Sequence, residues 1–210
     1  GGQPTDRGTL AGPDCRLLPV VDVVKSGSVV LHRLGRGTRS ALGTDDEVHG
    51  EVDWERRYGH LRLHTAQHLL SAVVFLRTGR RTRKAVFAAG RGTIDLEGPW
   101  PETETTATLS VAFAWYLQPP REVRIRTLPR SEWEANPSAR SGLVPLPAQV
   151  DPVRVIEIDG IDTCPCGGTH LRSTGEVGEF TLEPIVHAAD ATRIGFALRT
   201  AAAHSDRVTP

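Results

Sequence analysis

The stretch Y-G-H-L-R-L-H-T-A-Q-H-L-L-S-A-V-V-F-L-R, residues 58–77, decides the fold. Leu61, Ala66, Leu69, Leu70, Val73, Val74 and Leu76 recur at helical period, and Gly79 supplies a stop. His60, His64 and His68 fall at i, i+4 and i+8, one stripe of that helix. Much further along, C-G-G-T-H brings Cys166 and His170, again at i, i+4, a spacing that on a helix shares one face. His64, His68, Cys166 and His170 together form a nitrogen and sulfur set of the kind zinc takes tetrahedrally. Either motif alone is a weak signal; the two together carry the zinc reading. Structural zinc sites show Cys-rich knuckles at short spacing, and this sequence does not. Two remote elements meeting at one metal suit an active site better. A fifth ligand would crowd the ion, so His60 reads as an outer partner or a surface residue.

A chain of 210 residues with 39% hydrophobic and 24% charged side chains reads as soluble and globular, one large domain or two small ones. No apolar run approaches the ~20 residues of a membrane span, and the opening lacks a secretory pattern. Cys15, Cys164 and Cys166 cannot all pair, and the last two are too close for an easy disulfide, so a reducing cytoplasm is the expected compartment. The formal net charge of +0 gives no electrostatic argument for nucleic acid. Nearly all positive charge is arginine, the better residue for forked phosphate contacts. The R-T-G-R-R-T-R-K run at 77–84 reads either as a solvated helix end or as a phosphate contact.

Strands are expected over 17–24, 29–34 and 47–54, the first two joined as a hairpin through Ser26-Gly27-Ser28. A second hairpin pairs 85–88 with 93–96 through Gly90-Arg91-Gly92, and a helix spans 102–117, stopped by Pro119-Pro120. Residues 122–128 and 153–158 read as strands, and 129–152 as irregular with a short helix at 131–135. Asp159-Gly160 is a turn, residues 169–171 lead into a short helix, and 178–187 with 192–200 close the chain as a hairpin. Gly167 and Gly168 permit close backbone approach. Cys164 reads as structural and Cys15 as packing.

These motifs carry a family resemblance. V-D-W-E-R-R-Y-G-H-L-R-L-H-T-A-Q-H-L-L-S-A-V (52–73), G-T-I-D-L-E (92–97), V-R-V-I-E-I-D-G-I-D-T-C-P-C-G-G-T-H (153–170) and T-G-E-V-G (174–178) are similar to the editing domain of alanyl-tRNA synthetases. They are closer still to the free-standing AlaX-type trans-editing proteins. The opening G-G-Q-P-T-D-R-G (1–8) looks like the glycine-rich motif of the longer AlaX forms. Threonyl-tRNA synthetase editing domains share the metal motifs without that opening. The resemblance implies an α+β protein: a small N-terminal β-barrel-like domain over 1–57, then an editing domain over 58–200 with an antiparallel sheet and a long metal-ligand helix. Residues 201–210 read as a frayed tail. The chain opens without Met inside what the family makes a loop between barrel strands, so the barrel is expected to lack its first strands and leave an open edge.

The resemblance further implies a zinc-dependent aminoacyl-tRNA deacylase. Its substrate would be tRNA for alanine wrongly charged with serine or glycine, hydrolysed in trans by a zinc-activated water. Two competitors remain: a tRNA-binding or synthetase-associated module with a vestigial site, and a zinc hydrolase of another small ester or amide. Thr65 stands where H-E-x-x-H metalloproteases carry their base, which leaves the activated water or the 2′-hydroxyl of the terminal adenosine in that role. Thr65 and Gln67 are candidates for hydrogen bonds to the substrate, with a helix-backbone bond and solvent as their plain alternatives. Gly1 and Gly2 would let backbone approach a small amino acid, and Gln3 would offer its amide. Gly92 stands where relatives usually carry Ser.

Overall fold

The computed structural model describes residues 3–38, 42–88, 90–136, 146–188 and 191–199. The fold is α+β, every strand pairing is antiparallel, and the chain divides into two compact units. One is Pro4–His60; the other takes Gln3 and the described residues from Leu61 onward.

The first unit holds a sheet of β1 (Gly8–Ala11), β2 (Leu17–Ser26), β3 (Val29–Leu34) and β4 (His49–Val52), in the order β3-β2-β1-β4. The expected barrel is not closed. Among the described residues β3 and β4 are the two edges of an open sheet, each pairing with one neighbour, and their side chains are almost all exposed. Strand β1 escaped sequence reading because G-T-L-A is short and has no alternation, yet it pairs with both β2 and β4. The predicted β2–β3 hairpin turns at Gly27, whose φ of 61° is cheap for glycine. Arg57 binds the Asp6 carboxylate with Nε at 2.7 Å from Oδ1, and Arg56 donates to the Thr5 carbonyl.

Helix α1 (Trp54–Thr78) begins a turn earlier than its apolar pattern suggested. Asp53 explains the start: its Oδ1 accepts from the Arg56 amide, an N-cap contact. Gly79, at φ 69°, ends the helix, its amide reaching the Phe75 carbonyl. From Arg62 to Val74 the helix is buried all round rather than along one face. Its polar groups must therefore find partners inside the protein. Arg62 donates to the carbonyls of Val177 and Arg199, while Gln67 and Thr82 both meet the Ser71 hydroxyl at 2.8 Å.

Around this helix the second unit carries two sheets. One is β10 (Phe180–Leu182), β12 (Ala191–Leu198), β6 (Arg91–Glu97) and β5 (Thr82–Ala88), with β11 (Val186–Ala188) also on β12. The other is β7 (Val123–Leu128), β8 (Val153–Ile158) and β9 (Asp162–Pro165). The basic run at 77–84 is divided: Arg77 stands in the last turn of α1 and pairs with Glu104, while Thr82, Arg83 and Lys84 open β5. The closing hairpin is broken at Pro184, which has no amide to give a ladder, so β10 and β11 are separate pieces. Helix α2 (Thr106–Leu117) starts later than expected because Thr105 and Thr108 form a reciprocal capping box. Helix α3 (Arg130–Ala135) brings Trp133 onto the Leu128, Val153 and Val155 cluster.

Phe113, Phe180 and Phe196 stack in series, with centroids 3.8 and 5.6 Å apart. Gly92 makes room for this: a Cβ there would sit 2.3 Å from the Phe196 ring, so the Ser expected at 92 has no space. Replacing the buried Phe113 with Ala should cost about 3–5 kcal/mol, measured as a lowered midpoint in urea unfolding.

Candidate metal centre

Helix α1 delivers His64 and His68 one turn apart, both buried. Cys166 and His170 do not come from a helix, as their spacing suggested. The chain leaves β9 at Pro165 and runs through Gly167 and Gly168 without regular structure until a 3-10 turn at Thr174–Val177. Side chains from elsewhere claim the backbone amides a helix would have used. Gln3 Oε1 takes the Thr169 amide at 3.3 Å, and Thr65 Oγ1 takes the Leu171 amide at 3.0 Å. Ser173 and Glu176 then cap the 3-10 turn.

The donor atoms of His64, His68, Cys166 and His170 lie within 4.8 Å of one another. Cys166 Sγ is 3.5 Å from His64 Nε2 and 3.5 Å from His170 Nε2. Bond lengths of about 2.0–2.1 Å to nitrogen and 2.3 Å to sulfur, at a tetrahedral angle, place such edges at about 3.5 Å. The donors present therefore fit zinc. The three imidazoles meet with centroids between 4.2 and 5.1 Å apart.

Burial pushes His64 down to about 4 and His170 to about 2, the nearby Arg154 charge adding to both, so these rings are neutral at pH 7 and have lone pairs to give. Burial raises the Cys166 thiol, while an amide hydrogen bond from Gly168 at 3.3 Å favours the thiolate. Arg154 also donates to the Cys166 carbonyl, fixing the start of the ligand loop.

The other sequence candidates fall as follows. Gln3 joins the cluster: Oε1 lies 2.8 Å from His64 Nδ1, and Nε2 donates to Thr169 Oγ1 at 2.7 Å. Thr65, fully buried, also meets His170 Nδ1 at 3.3 Å, so its hydroxyl serves the opposite motif rather than its own helix backbone. Gln67 is buried against Ser71, not in solvent. Gly1 and Gly2 lie outside the described residues. His60 belongs to the first unit, where its Nε2 is buried without a hydrogen-bond partner among the described residues. Cys164 stands outside the four-ligand set but close to His68, in a second buried group with Asp162 whose atoms also lie within 4.8 Å. Asp162, two residues before Cys164 on the same strand face, was missed because a lone aspartate in a turn carries no signal. A cavity of about 580 Å³, lined by Trp100, Glu102, Thr105 and His187 among others, shares no residue with the cluster.

Comparison with known proteins meets this geometry. The family described as threonyl and alanyl tRNA synthetase second additional domain matches residues 153–193, the segment that carries Cys166 and His170. AlaX-M of Methanosarcina acetivorans, named an alanyl-tRNA editing protein, is 29% identical over 198 residues, 92% of this chain and 81% of that protein. The chain is thus similar to AlaX-type alanyl-tRNA editing proteins. The alanyl-tRNA editing protein Aarsd1 of Mus musculus is 31% identical over 177 residues, 84% of this chain and 40% of its own length. Alanine–tRNA ligase of Pyrobaculum neutrophilum is 34% identical over 206 residues, 90% of the chain but 22% of the ligase. The chain thus spans less than half the length of the mouse relative and of the archaeal ligase. Among its described residues no helix is long and apolar enough to cross a membrane.

Proposed function

We propose that this chain hydrolyses the ester joining serine, and secondarily glycine, to tRNA for alanine, acting in trans in the cytoplasm with zinc held by His64, His68, Cys166 and His170. The observation that carries the reading is the convergence of four donors from two remote motifs, with sulfur-to-nitrogen edges of 3.5 Å. A vestigial module would have no reason to keep all four. The naming of its relatives as alanyl-tRNA editing proteins supports the substrate class.

Zinc, when bound there, supplies a Lewis acid that polarises an ester carbonyl and lowers the pKa of water. The protein's share is to hold the donors in place. Neutral His64 and His170 bind without losing a proton, so Cys166 is the ligand that must release one. The Gly168 amide and Arg154 both favour negative charge on that thiol. Of the residues proposed to meet the aminoacyl group, Gln3 and Thr65 bond the ligands His64 and His170, and Gln67 is the next polar group along that helix. An aminoacyl ester is already activated, so it needs no strong carboxylate base of the kind H-E-x-x-H enzymes carry.

The test compares tRNA for alanine charged with serine, glycine or alanine, alongside a small amino-acid ester. The seryl ester should be cleared about 100-fold faster than the alanyl ester, because polar groups built for the serine hydroxyl are left unpaired by alanine. Rapid hydrolysis of the small ester with both tRNA esters untouched would make the chain a general zinc hydrolase instead.

A further inference from the structure

We propose that Gln3 is a positioning residue for the metal cluster: its side-chain carbonyl holds Nδ1–H of His64 and so leaves the Nε2 lone pair facing the metal seat. This rests on the zinc reading above but concerns a residue outside the four ligands.

A peptide N–H can only donate, and the Thr169 amide points at one end of the Gln3 side chain at 3.3 Å. That end is therefore the carbonyl oxygen, which fixes the amide's orientation from the network. The other end, the NH2, then donates to Thr169 Oγ1 at 2.7 Å. His64 Nδ1 lies 2.8 Å from the same carbonyl oxygen, an atom with no proton to give. Nδ1 must carry the proton. Nε2 is then the ring nitrogen left to offer its lone pair, and Nε2 is the atom 3.5 Å from Cys166 Sγ.

Three features show that this is a built contact. Gln3 spends both ends of its amide on the protein, tying His64 of one motif to Thr169 of the other. Gly168 keeps the space open, since a Cβ there would come within 3.2 Å of Gln3 Oε1. His170 has a less decisive partner: Thr65 Oγ1 is 3.3 Å from its Nδ1, and a hydroxyl can donate or accept. The Thr169 backbone also favours a proton on the His64 ring, and Gln3 holds Thr169 itself through its amide and hydroxyl. Gln3, from the glycine-rich opening, thus acts on the metal ligand itself.

The experiment uses the full chain with Gln3→Ala, which removes the acceptor, and Gln3→Glu, which keeps an acceptor oxygen. Histidine-labelled nitrogen NMR of the metal-free proteins reads the His64 tautomer, and transfer of zinc to a coloured chelator reads the release rate. The parent and Gln3→Glu should show His64 protonated at Nδ1 and release zinc at similar rates. Gln3→Ala should show mixed tautomers and release zinc about 10–100-fold faster. An unchanged tautomer and release rate in Gln3→Ala overturns the proposal, as does a Gln3→Glu variant no better than Gln3→Ala. A parent that holds no zinc defeats the metal reading, while the tautomer measured in the metal-free chain still decides the role of Gln3.

Discussion

Cys166→Ala should abolish hydrolysis of seryl-tRNA for alanine and leave the purified chain without its equivalent of zinc. Cys166 is the one sulfur donor in the four-ligand set, and the ligand whose charge offsets that of the metal. Losing an ion that supplies several kcal/mol of transition-state stabilisation corresponds to about a thousandfold or more in rate. The fold should survive. Cys166 is only partly buried, and the bond from its amide to the Arg154 carbonyl at 3.2 Å does not involve the side chain. Deacylation kinetics, metal content and far-ultraviolet circular dichroism on one preparation check all three statements. Near-normal turnover in the variant contradicts the zinc mechanism; an unfolded variant makes the metal structural as well.

Gly168→Ala should be nearly as damaging, while Gly167→Ala is tolerated. A Cβ at 168 would stand 2.1 Å from His64 Cε1 and 2.5 Å from Nδ1, so either the ligand ring or the ligand loop must move. A shift of this size breaks a coordination geometry that tolerates only a few tenths of an ångström, and overpacking of this kind costs about 1–3 kcal/mol. Nothing lies within 4 Å of a Cβ at 167, and its φ is not in the left-handed region. Zinc affinity by competition, with the unfolding midpoint, separates the two variants. Equal behaviour of both would show that the loop is not packed against His64 in solution.

Helix α1 and the convergence of the four donors were legible because their signals are local. Apolar residues at helical period mark α1, and a histidine pair on one stripe marks the face that meets Cys166 and His170. The second pair, Cys166 and His170, does converge on His64 and His68, but from a loop and not from a helix. Its i, i+4 spacing is met by a loop whose amides are taken by Gln3 and Thr65, contacts more than a hundred residues apart in sequence. The same long range hid the partners of Thr65, whose hydroxyl bonds a loop no periodicity could connect to it. Burial of α1 on all sides was also invisible, since Arg62 and Gln67 look like solvent residues until Val177, Arg199 and Ser71 supply their partners. Strand β1 is four residues long and depends on neighbours at both edges. The barrel-like domain with an open edge, expected from resemblance, is an open four-stranded sheet among the described residues, with β3 and β4 as its edges.

The most direct test of the central claim is to strip the chain with chelator and add zinc back in substoichiometric steps, reading seryl-tRNA deacylation at each step. Activity should be absent from the stripped protein, rise in proportion to added zinc and level off at one equivalent per chain. Full activity in the stripped protein, or a rise that continues well beyond one equivalent, would contradict a single zinc site built from His64, His68, Cys166 and His170.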